Sequence, residues 1–94
     1  MNKHKSVLLE AEELVNGDRH EAYGSVEVNF GRWRDLCRAS GRPNLANIEM
    51  DDIAMIMILG KIAREANTHK RDNMVDASGY CDIYEQLVEF SQEK

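Results

Sequence analysis

Ninety-four residues, 43% hydrophobic and 31% charged, describe one globular domain, too short for its core to divide into two. A net charge of −5 argues against the nucleic acid backbone as the main partner, so direct DNA binding is not expected. The longest apolar run falls far short of the roughly 20 residues that cross a bilayer, and no secretory apolar segment follows Met1, so no membrane role and a cytoplasmic address are expected.

In chain order, residues 1–5 are expected to fray, and a first helix reads from Ser6 to Val15. Val7, Leu8, Ala11, Leu14 and Val15 form one stripe of a 3.6-residue period, with Ser6 as N-cap and Asn16-Gly17 as the stop. Glu10 and Glu13 flank that stripe, either as a solvated edge or as carboxylates aimed at a cation. The next stretch, Asp18-Arg19-His20-Glu21-Ala22-Tyr23-Gly24, reads as a polar loop or single turn.

Ser25 then caps a second helix to about Ala39, with Val26, Phe30, Trp33 and Cys37 inward and Arg34 and Arg38 towards solvent; Gly41-Arg42-Pro43 ends it. A third helix, residues ~50–66, carries Asp51 and Asp52 in its first turn, where the helix dipole favours negative charge. From Ile53 to Leu59 every residue is apolar, which predicts a central helix covered on all sides. Asn67-Thr68-His69 ends it. A last helix spans about Asp72 to Phe90, with Val75, Tyr80, Ile83, Leu87 and Phe90 inward, and residues 92–94 are expected to fray. With no hairpin signal between alternating strands, the expected class is all-α, a bundle of about four helices. Cys37 and Cys81 are too few for a disulfide framework and read as small buried hydrophobes.

Two groups of charge carry the functional reading. Lys61 and Arg64 share a face where the apolar helix emerges from the core, and Asp72, Asp76 and Tyr80 follow one another on the next helix. They form either an interhelical ion-pair network or a ligand site. Arg19 between glycine-bounded ends would complete a phosphate clamp with Lys61 and Arg64, because guanidinium presents a bidentate fork to phosphate. Tyr23 or Tyr80 would supply a stacking face, and Asp72 or Asp76 ribose or base contacts. His4, His20 and His69 lack partners at metal-ligand spacing, and no cofactor motif is visible. Gly79 inside the last helix costs about 1 kcal/mol relative to Ala and implies close approach of another helix.

These residues also carry a resemblance. Ala11 to Arg19, Tyr23-Gly24 with Asn29-Phe30, Asp52-Ile53-Ala54 leading to Lys61-Ile62-Ala63-Arg64, and Asp72-Asn73 with Val75-Asp76 and Gly79-Tyr80 resemble a family of small all-helical proteins of tailed phages and prophages, of unassigned function. A more distant likeness is to the MazG-like all-α nucleotide pyrophosphohydrolases, which implies magnesium held by Glu10, Glu13, Asp72 and Asp76. The chain lacks that family's Glu-Glu-x-x-Glu run and spaces Asp72 and Asp76 by four, where the second motif uses three.

The leading expectation is a phage-type accessory protein acting in the host cytoplasm. It would bind or sequester a nucleotide-like or phosphorylated molecule, perhaps in counter-defence, as a homo-oligomer and without a cofactor. The alternatives are a magnesium-dependent pyrophosphohydrolase and an acidic inhibitor of a host protein, seated on Glu12, Glu85 and Glu89.

Overall fold

The computed structural model describes residues 4–18 and 24–93, and the structural statements below concern these residues. Helix α1, Val7–Glu13, starts at Ser6, whose Oγ accepts the Leu9 N–H at 3.3 Å. The chain does not stop at Asn16-Gly17 as expected: it widens into a π-helical turn over Leu14–Asp18. Only part of the anticipated stripe is covered. Ala11 and Val15 are buried, whereas Leu8 is 68% exposed and Leu14 41%. The cause is that α1 packs chiefly on one neighbour, the C-terminal helix, which covers a narrow strip of it.

Helix α2, Val26–Ala39, is capped by Ser25 Oγ, which accepts the Val28 N–H at 3.3 Å, and it ends before Gly41 at φ +83°. Phe30 is buried, and Val26 and Cys37 pack against the core. Trp33, expected inward, stacks on Phe30 with ring centroids 6.2 Å apart yet keeps an open outer face. Arg38, expected in solvent, instead reaches across to the start of the third helix. Its Nε donates to Ile48 O at 2.9 Å and its Nη2 to Glu49 Oε1 at 2.8 Å.

Helix α3, Met50–Asn67, follows a short 3-10 turn, Pro43–Leu45, and its entry is fixed by the Glu49 N–H donating to Asp52 Oδ2 at 2.9 Å. Ile53 and Ala54 face the core. The expectation that α3 is covered on all sides is corrected, because Met55, Ile56, Leu59 and Ile62 lie open on its far side. A run without polar residues reveals no direction, and α3 has neighbours on one side only, chiefly α4 and, to a lesser extent, α2.

Helix α4, Arg71–Gln92, is the longest and touches each of the other three. Its buried face is Asn73, Val75, Gly79, Ile83 and Leu87. Together with Val15, Phe30, Ile48, Ile53 and Ala54, Ile83 and Leu87 form the core. Gly79 meets the close approach anticipated for it: a Cβ there would stand 3.1 Å from Val15 Cγ2 and 3.9 Å from Ala11 Cβ. Cys37 is half-buried and Cys81 exposed, so the reading of Cys81 as a buried hydrophobe is corrected; it lies off the Val75–Ile83–Leu87 face. The architecture is an all-α bundle of four helices, with no strand among the described residues.

Candidate functional site

Helices α3 and α4 form a hairpin, and one residue organises its turn. The carboxylate of Glu65, in the last turns of α3, accepts the Asn73 side-chain amide at 3.1 Å and the Lys70 backbone N–H at 3.1 Å, and its second oxygen pairs with His69 Nδ1. Asn73 is only 6% exposed, and its amide is satisfied by this bond. Hydrogen bonds from Asn73 first and His69 next hold the Glu65 carboxyl below the usual carboxylate range, because they stabilise the charged form.

Beside this staple, between the end of α3 and the start of α4, lies an open cleft of about 600 Å³. Lys61, Arg64 and Lys70 bring three cations to it, against the two carboxylates Asp72 and Asp76. The remaining lining is uncharged: Asn67, Thr68 and Asn73. Lys61 Nζ pairs with Asp76 Oδ2 at 2.8 Å, with the lysine side chain 19% exposed. Arg64 and Lys70 have no carboxylate partner among the described residues. No side chain caps the start of α4, which leaves its first amides available to an anion.

The structure thus brings together Lys61, Arg64, Asp72 and Asp76. Half of the anticipated interhelical network exists, as Lys61–Asp76, while Arg64 and Asp72 stay outside it. Tyr80 does not line the cleft; it is half-buried and packs against the core. Arg19 and Tyr23, expected as clamp and stacking face, lie outside the described residues, as does His20. Of the carboxylates implied as magnesium ligands, Glu13 is exposed, and Glu10 pairs with Lys5 at 3.3 Å and with Arg71 at 3.6 Å. No three His, Cys, Asp or Glu side chains converge as a metal site among the described residues.

Sequence reasoning missed Glu65, Lys70 and Asn73. The available signal was Glu65 and His69 at i, i+4, with an Asn in the opening turn of the following helix, where a carboxylate from the preceding helix can reach it.

Fold and cleft together define an all-helical protein whose one-sided hairpin ends in a small cation-lined recess. No helix of the described residues is long and apolar enough to cross a membrane. The chain belongs to the family DUF6378, a domain of unknown function, which it matches over residues 6–88. It is 37% identical over 83 residues to the Gene 55 protein of Mycobacterium phage L5, covering 87% of this chain and 52% of that protein. To the Gene 55 protein of Mycobacterium phage D29 it is 35% identical over 86 residues, covering 90% of this chain and 55% of the other. The chain therefore spans about half the length of these curated relatives. No solved structure matches it significantly. It is a phage-type protein, as the sequence resemblance implied.

Proposed function

We propose that the chain binds a phosphorylated small molecule of nucleotide type in the cleft between α3 and α4, and that in the infected cell it withholds that molecule from host defence. The observation that carries this reading is the pair of cations at the cleft, Arg64 and Lys70, with no carboxylate partner among the described residues. Arg64 offers the planar fork that matches phosphate, Lys70 a mobile point charge, and the uncapped start of α4 adds backbone donors. Lys61 is already neutralised by Asp76 and so orders the wall. Asp72, exposed at the cleft edge, serves as an acceptor for ribose hydroxyls or a base amine.

The test is thermal unfolding in the presence of inorganic pyrophosphate and of nucleoside mono-, di- and triphosphates. A ligand that binds only the folded chain stabilises it by about 2.7 kcal/mol at a hundredfold excess over Kd. The melting midpoint should rise with at least one compound, and Arg64→Glu should remove that rise. The charge reversal Glu85→Lys, remote from the cleft, should leave it intact. Flat melting curves across the panel, together with an empty protein by native mass spectrometry after incubation in infected-cell extract, would overturn the reading. A host protein captured through Glu12, Glu85 and Glu89, insensitive to Arg64→Glu, would put an inhibitor in its place.

A further inference from the structure

Helix α3 has a second apolar face that its own chain leaves uncovered. Met55, Ile56, Leu59 and Ile62 are 38%, 56%, 56% and 52% exposed. At 3.6 residues per turn they fall on one side of the helix, opposite Ile53, Ala54 and Lys61. Ala63 and Ala66 continue the stripe as small exposed residues, and a Cβ at Gly60 on its margin would meet nothing within 4 Å. A helix that is apolar all round belongs in an interior, yet here half of its circumference is outside.

We propose that this face is the seat of a two-fold homodimer, in which α3 packs antiparallel against α3 of a second copy with the axis near Leu59. Area is the first argument. The four exposed fractions amount to two complete aliphatic side chains, on the order of 400 Å², and specific interfaces begin at about 500 Å² per partner. Ala63, Ala66 and Gly60 supply much of the difference, and small side chains allow the axes to approach to about 8 Å.

Charge order along the helix is the second argument. Asp51 and Asp52 open α3, while Arg64 lies near its end and Lys70 just beyond. A parallel pair would set like charge on like. An antiparallel pair sets the acidic opening of each copy beside the basic end of the other, and it also opposes the two helix dipoles. A two-fold axis near Leu59 brings Asp52 opposite the partner's Ala66, one turn from the partner's Lys70. The same patch then meets itself, which closes the assembly at two copies. Neither Ile56 nor Leu59 lines the cleft, so this proposal stands or falls separately from ligand binding.

Sedimentation of the full chain at about 100 µM tests it, a concentration that populates even a micromolar dimer. The expected mass is twice 10.8 kDa. Ile56→Lys and Leu59→Lys should each sediment at the single-chain mass with unchanged far-ultraviolet circular dichroism, since neither side chain supports the core. Leu59→Cys, in a background of Cys37→Ser and Cys81→Ser, should cross-link to a covalent dimer under oxidised glutathione. A wild-type chain that stays single at this concentration assigns the face to a different protein and overturns the proposal. So does a dimer that survives both lysine substitutions, or one that Leu59→Cys fails to cross-link.

Discussion

Single side chains decide how the hairpin turn behaves. Glu65 is ionised more readily in the folded chain than in the unfolded one, because Asn73 and His69 donate to it. The unfolded state therefore binds more protons as the pH falls below the usual carboxylate range. The stabilisation is complete above that range and disappears as pH drops through the lowered folded value. Glu65→Gln should consequently lower the melting midpoint at pH 7, and the gap from wild type should close on approaching about pH 3. Asn73→Ala, which removes the strongest donor, should lower the midpoint at pH 7 by about 5 °C. Gly79 makes the opposite kind of demand, for space. Gly79→Leu should cost about 2 kcal/mol by urea unfolding, since Val15 already stands where a Cβ would go. Gly79→Ala should stay within about 1 kcal/mol of wild type, because its helix propensity offsets the crowding.

At the scale of elements, punctuation was legible and orientation was not. Ser25, Gly41 and the Asp51-Asp52 pair mark helix ends through local hydrogen bonding and dipole charge, and the structure places helix boundaries beside each of them. The π-helical turn after α1 left no such mark, because one extra residue per turn changes no residue type. The uniform run Ile53–Leu59 announced a helix in contact with apolar surroundings but could not say which side the chain would cover. At the site, Lys61, Arg64, Asp72 and Asp76 were readable from spacing. Lys70 was not, since its place depends on how the α3–α4 connection turns. Arg38 was misread for a related reason: a residue on the exposed side of its own helix can still reach the next one. It joins α2 to the opening of α3 through a backbone carbonyl and a carboxylate. Arg38→Ala should therefore lower stability by about 1 kcal/mol, most of it from the carbonyl bond, as the Glu49 pair is exposed. Thermal melts at 0.1 M and 1 M salt separate the two, because only the ion pair is screened.

For the molecule as a whole, the balance between inside and outside is unusual. Nine buried hydrophobic residues make up the core, while ten large hydrophobics stand exposed. The radius of gyration, 14.7 Å, exceeds the roughly 12 Å of a close-packed domain of this length, and the extents are 53 × 31 × 23 Å. So slender a bundle buries little per residue, and its intrinsic stability belongs at the low end of the ordinary 5–15 kcal/mol range. Covering the α3 stripe with a second copy would supply what the single chain lacks, and it would couple folding to concentration. Raising the protein concentration a hundredfold should then lift the melting midpoint by several degrees, as mass action requires when a dimer unfolds to two chains. Leu59→Lys should melt at one temperature across the same series, and below wild type at the high end. Because that substitution adds charge at an open position, any loss of stability that grows with concentration reports the missing partner and not a damaged core.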